Sequence, residues 1–204
     1  MFLQSFLIFS SIAFCEGFSK HMTSDLPITA FTNTVEDSNM WKTYDQLSNL
    51  CYNKLTNDKN SGQFWIGIAG GPGAGKSTLA ENVCTRLNKL NKLQPDDIAV
   101  VLPMDGFHYS RSELREMAEK EGSNTTFDEL ISRRGAPWTF NGRLCADSFL
   151  EAKRLGEASL PVYSRKASDP VPNGVVLKQY HKIVLVEVNY LFIFEDTDWA
   201  VLRG

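Results

Sequence analysis

One octapeptide, Gly70-Gly71-Pro72-Gly73-Ala74-Gly75-Lys76-Ser77, limits what this 204-residue chain can fold into more than any other feature. It fits G-x-x-x-x-G-K-[ST] at every fixed position. Before it, residues 64–69 form a short apolar run of strand length. After it, Leu79, Val83, Leu87 and Leu90 recur at helical spacing, so 76–90 reads as a helix. The glycines let the backbone turn tightly and bring its N–H groups close to phosphate oxygens. The helix N-terminus adds partial positive charge for an anion. Gly70, Gly71, Pro72, Gly73, Ala74, Gly75, Lys76, Ser77 and Thr78 are therefore expected to hold a nucleoside triphosphate. In that arrangement Lys76 meets the β- and γ-phosphates and the Ser77 hydroxyl meets Mg2+, which makes ATP and Mg2+ the expected cofactors. Such a loop identifies triphosphate binding and leaves the reaction open.

The rest of the chain repeats the strand–helix rhythm. Apolar runs at 98–102 and 183–188 read as two further buried strands. Helical spacing marks 41–57, 112–120 and 144–155. Alternating elements of this kind imply βαβ units, hence an α/β chain of the P-loop NTPase type, a three-layer sandwich around a central parallel sheet.

Residues 1–15, MFLQSFLIFSSIAFC, are an uncharged apolar stretch too short to span a bilayer as a helix. Their length suits the apolar core of a signal peptide, but no Lys or Arg precedes it. Three readings stand: a bipartite organelle signal, with Ser11-Ile12-Ala13-Phe14 similar to plastid-type junctions; a mis-called start codon, which would leave a cytoplasmic protein; and a secretory signal. Residues 1–39 are set aside as a targeting or disordered segment, and 40–204 as the folded domain.

Two strands end in carboxylates. Asp105 follows the run at 98–102, and ligands of parallel sheets sit at the carboxyl ends of strands. It is placed to accept a proton from an attacking hydroxyl. Glu187 ends the stretch Ile183-Val184-Leu185-Val186-Glu187 and suits an Mg2+-orienting role. His108 lies three residues beyond Asp105, as a structural or substrate-contacting group. Arg134 and Arg165 belong to two basic turn clusters, and a guanidinium suits multi-oxygen anions because its fork donates bidentately.

Composition removes other classes. Hydrophobic residues make up 43% and charged residues 22%, enough to bury a core and too apolar for wholesale disorder. A net charge of −3 gives no basic footprint for nucleic acid. Cys15, Cys51, Cys84 and Cys145 are scattered, with no C-x-x-C pair to suggest zinc or a disulfide framework.

Taken in order, the glycine-rich loop, Met104-Asp105-Gly106-Phe107-His108-Tyr109, Arg134-Gly135-Ala136-Pro137-Trp138-Thr139-Phe140, Tyr163-Ser164-Arg165 and Val186-Glu187-Val188-Asn189-Tyr190-Leu191 resemble the uridine kinase, pantothenate kinase and phosphoribulokinase superfamily. The set is similar above all to the uridine-kinase-like and fructose-transport-kinase-like branch, over residues 64–199. The resemblance implies transfer of the ATP γ-phosphoryl to a hydroxyl of a small molecule such as a nucleoside, a sugar or a pantothenate-like metabolite. It implies Asp105, Lys76 and Glu187 as catalytic residues, Ser77 and Glu187 as metal ligands, and His108, Arg134, Tyr163 and Arg165 around the acceptor. A small-molecule acceptor is the expected partner; nucleic acid and a stable membrane span are not expected, and a homodimer is left open.

Two departures stand out. Val188 occupies a position where the family usually has Gly, which is expected to put a side chain next to the metal region. The chain stops at Gly204, where members continue with an arginine-bearing lid, so the domain is expected to be partial, with an open sheet edge and apolar exposure at 191–194. A switch-type GTPase is disfavoured, since no N-K-x-D occurs and no D-x-x-G follows the loop. A nucleotide-binding remnant with impaired catalysis is the alternative to an active kinase.

Overall fold

A computed structural model describes residues 7–10, 40–57, 62–91 and 96–189. In chain order the elements are β1 (Leu7–Ser10), α1 (Met40–Asn57), β2 (Phe64–Ala69), α2 (Lys76–Leu90), β3 (Ala99–Pro103), α3 (Arg111–Glu119), α4 (Phe127–Ser132), α5 (Gly142–Leu155), β4 (Ala158–Ser164), β5 (Asp169–Leu177) and β6 (Ile183–Val188). Short 3-10 turns at Met104–Phe107 and Pro137–Thr139 fill two of the connections.

The three apolar runs become strands of one parallel sheet in the order β1-β2-β6-β3. Each carries apolar side chains on both faces because both faces are covered. Trp65, Leu102, Val184 and Val186 pack on one face with Cys145, Ala146 and Phe149 of α5. Ile66, Ile68, Ile183 and Leu185 pack on the other with Leu47 and Cys51 of α1 and Leu79, Val83 and Leu87 of α2. The result is the expected three-layer α/β/α arrangement. Strand alternation sends Glu187 to the α2 side, with Ile183 and Leu185.

Several expectations shift. Residues 1–39 were set aside, yet Leu7–Ser10 pairs in parallel with Ile66–Ala69 and extends the sheet beyond β2. An apolar run can add to a strand edge whose backbone groups would otherwise stay unpaired. The segment 191–194, expected to be exposed, lies outside the described residues. A second, antiparallel sheet, the β4–β5 hairpin, has no counterpart in the sequence-based expectations, and neither has α4. Capping boxes at Ser110/Glu113 and Thr126/Glu129 start α3 and α4, one residue before the expected start of the former. No described helix is long and apolar enough to cross a membrane.

The N-terminal ends of the strands are tied by a compact turn. Phe64 N–H donates to Lys182 O at 2.7 Å, and the N–H groups of Lys182 and Ile183 both donate to Ile98 O. His181 is buried there; its Nδ1 accepts from Lys178 N–H at 2.9 Å, while its own N–H donates to Lys178 O. Burial holds the His181 imidazole below its ordinary value, against the nearby charges of Asp97 and Asp96. Protonation would also cost the lone pair that Lys178 uses. An imidazole depressed in the fold is neutral there and takes up its proton more readily when unfolded, so its contribution is full above the unfolded value and is lost on acidification. Stability should fall as pH drops below about 6.5. His181→Asn should make that fall shallower, read as denaturant midpoints at pH 7.5, 6.5 and 5.5.

Candidate active site

The loop between β2 and α2 carries out the turn its glycines require. Gly73 and Gly75 have φ of 77° and 80°, the left-handed region, and Gly75 is the residue that caps α2. Leu79 N–H makes the first intrahelical bond, to Gly75 O at 2.9 Å, so the N–H groups of the preceding turn are those a helix start offers to an anion. Residues 71–75 are exposed, and among the described residues no atom comes within 4 Å of a Cβ built at Gly71, Gly73 or Gly75. The segment 111–140 therefore does not close over the loop.

Lys76 lies back along the loop, its Nζ donating to Gly71 O at 2.9 Å, and is buried. Ser77 Oγ donates to Glu187 Oε1 at 2.6 Å, so the side chain from the start of α2 meets the one from the end of β6. Burial pushes the Glu187 carboxyl above its usual value, and the charges of Asp105 and Glu81 add to this; the Ser77 hydroxyl and Lys76 pull the other way. A hydroxyl and a carboxylate held together offer the hard oxygen ligands Mg2+ takes. Among the described residues no group of three or more His, Cys, Asp or Glu could hold a metal. Mg2+ is suited to such a site, since it binds through one or two protein oxygens plus phosphates and waters.

Asp105 sits in the 3-10 turn that directly follows β3, whose Pro103 is the register partner of Glu187. β3 follows the loop in sequence, but β6 lies between it and β2. The turn is fixed from below: Phe107 meets Phe149 edge to face at 5.4 Å, and a Cβ at Gly106 would collide with the Pro161 carbonyl of β4. Asp105 Oδ1 accepts from Asn189 Nδ2 at 3.2 Å. His108 stacks on Phe140 with ring centroids 3.7 Å apart and lies 5.1 Å from Tyr163. Its buried Nδ1 has no hydrogen-bond partner among the described residues, and burial lowers the imidazole's affinity for a proton. His108 and Tyr163 thus stand together, with the charge of Asp105 near the imidazole.

The two arginines behave differently. Arg134 is used inside the fold: its guanidinium donates to Ser168 O at 2.6 Å, Tyr109 O at 2.8 Å and Asp169 Oδ1 at 3.0 Å, and lies over the Tyr163 ring at 5.2 Å. It ties the hairpin to the segment after His108. Arg165 is exposed in the hairpin turn. Val188 was expected beside the metal region; instead it is buried in the α5-side cluster, because alternation turns it away from Glu187. Asn189 was overlooked as a site residue. It lies two positions beyond Glu187, so the same alternation could have pointed it toward the site.

Gly106→Ala should cost about 1–3 kcal/mol by overpacking. A denaturant titration should show the loss.

No family model matches the chain. It is 34% identical over 153 residues to "Putative uridine kinase C227.14" of Schizosaccharomyces pombe, covering 74% of this chain and 59% of that one. It is 30% identical over 125 residues to a pantothenate kinase of Cutibacterium acnes, covering 61% of this chain and 34% of that one. Among solved structures, a "putative fructose transport system kinase" from Silicibacter sp. TM1040 matches with a TM-score of 0.55 and 25% identity, over 77% of this chain and 69% of that one. YFH7 of Saccharomyces cerevisiae matches with a TM-score of 0.60 and 18% identity, over 78% of each, a likeness of fold. The chain spans between about a third and three fifths of the length of these sequence relatives.

Proposed function

We propose that this chain, a relative of the P-loop kinases named for uridine and pantothenate, transfers the γ-phosphoryl of ATP to a hydroxyl of a small metabolite. The observation that supports this best is the meeting of three strand ends: the open loop after β2, Glu187 closing β6 against Ser77, and Asp105 just beyond β3. Ligands of parallel sheets bind at such carboxyl ends.

Each residue then has a role. The loop N–H groups and Lys76 hold the phosphates, Lys76 leaving Gly71 O to do so. Ser77 and Glu187 would hold Mg2+, which, when bound, offsets charge on the phosphate oxygens. Asp105 takes the proton of the acceptor hydroxyl. As that O–H breaks, the acceptor oxygen bonds to the γ-phosphorus, the bond from phosphorus to the β-bridging oxygen breaks, and ADP leaves with that electron pair. Little covalent work falls to the protein; holding donor and acceptor in line is the main contribution. His108 and Tyr163 stand on the acceptor side, Arg134 holds the hairpin that carries Tyr163, and the exposed Arg165 of the hairpin turn is assigned to the acceptor on the sequence resemblance alone. The relatives' names point to nucleoside- or pantothenate-like acceptors.

A nucleotide-binding remnant is the second reading, favoured by one observation: Arg134, a candidate for offsetting charge, has its guanidinium engaged by Ser168, Tyr109 and Asp169. Acceptor-dependent ADP release separates the two. Lys76→Ala should abolish binding of a fluorescent ATP analogue, whereas Asp105→Asn should bind it as the unaltered chain does and lose transfer by at least about 100-fold. Undiminished transfer in Asp105→Asn would refute its role, and ATP binding with no acceptor-dependent ADP release would favour the remnant.

A further inference from the structure

We infer that Asn189 is a positioning residue that aims the Asp105 carboxylate at the acceptor; this rests on the reading of Asp105 as the proton acceptor. Asn189 Nδ2 donates to Asp105 Oδ1 at 3.2 Å, between segments far apart in sequence. No other hydrogen bond from the described residues reaches the Asp105 carboxylate, which leaves Oδ2 for the acceptor hydroxyl. The neighbouring groups explain why an amide suits this place. Glu187, two residues before Asn189, already places one carboxylate at this strand end. A third carboxylate here would repel Asp105, and a cation would weaken it as a base by favouring its charged form. A neutral donor restrains one oxygen without either cost.

The spacing adds a second consequence. Glu187 is in β6 and Asn189 follows directly on its end, two residues further along. One grips Ser77 at the nucleotide loop and the other grips Asp105 on the acceptor side. The end of β6 therefore sets the distance between the phosphoryl donor site and the base. In-line transfer is sensitive to that distance, since a misplacement of about 1 Å can cost about 100-fold.

The test is a double-mutant cycle of Asn189→Ala and Asp105→Asn. ADP release is followed at saturating ATP with uridine, pantothenate or D-glycerate as acceptor, and affinity is read with a fluorescent ATP analogue. Asn189→Ala should lower kcat about 10- to 100-fold, the worth of a hydrogen bond to a charged group, with nucleotide affinity and KM for ATP changed less than about twofold. In the Asp105→Asn background the same substitution should slow the reaction by less than about twofold. Equal slowing in both backgrounds, or wild-type kcat in Asn189→Ala, overturns the inference. Full activity in Asp105→Asn instead overturns the reading on which it rests. Should none of the three acceptors speed ADP release, crystals of Asn189→Ala decide: an Asp105 carboxylate that leaves its wild-type rotamer supports the inference, and one that stays overturns it.

Discussion

The 2.6 Å contact between Ser77 and Glu187 is the junction on which the site depends. It joins the first turn of α2 to the last residues of β6, and it exists only because β6 lies directly beside β2. Were β3 the neighbour of β2, the loop and the Glu187 carboxylate would be a strand apart. The apolar packing of both sheet faces holds that order in place, with Ile183 and Leu185 set against α1 and α2 and Val184 and Val186 against α5. The polar junction adds little to stability beside this packing. Its value is geometric: it places a hydroxyl and a carboxylate where one cation can meet both.

Much of this was legible in the sequence, for identifiable reasons. The strands at 64–69 and 183–188 and the helix at 76–90 follow from local apolar pattern, and the structure keeps those bounds. The loop's conformation follows from its glycines. The β4–β5 hairpin was not legible, because Pro161, Pro170, Pro172 and Gly174 interrupt its strands and few of its side chains are buried. α4 has six residues, too few for a helical period to show, although Thr126 and Glu129 marked its start. Strand order is a non-local property, and no local pattern places β6 between β2 and β3.

Site residues divide along the same line. Lys76 and Ser77 are fixed by their position in the loop motif, and Glu187 and Asp105 by their place at strand ends. Arg134 reads in sequence as a cation available to an anion, but its partners Asp169 and Ser168 come from the hairpin, which local pattern did not show. The Arg134–Asp169 pair is only partly buried, so its value lies in fixing one arrangement more than in stability. Here that arrangement carries Tyr163 to His108. Asn189 carries no charge, and its tie to Asp105 joins segments far apart in sequence, which local pattern does not show.

The position of β6 also bears on how the chain reaches its native state. β2, the loop, α2 and β3 are consecutive in sequence, but they cannot form their final sheet by themselves, since the slot between β2 and β3 is filled by a strand made much later. Phe64 and Ala99 share Ile183 as register partner. During synthesis the phosphate loop therefore emerges well before the strand that supplies its carboxylate, and β2 and β3 wait with unpaired inner edges. Long-range parallel pairing of this kind is slow and leaves such edges exposed to other chains. Ribosome-bound chains ending before Ile183 would then be aggregation-prone intermediates, and the arrival of one short apolar segment would join β2 to β3 and bring the Glu187 carboxylate to the loop in a single step.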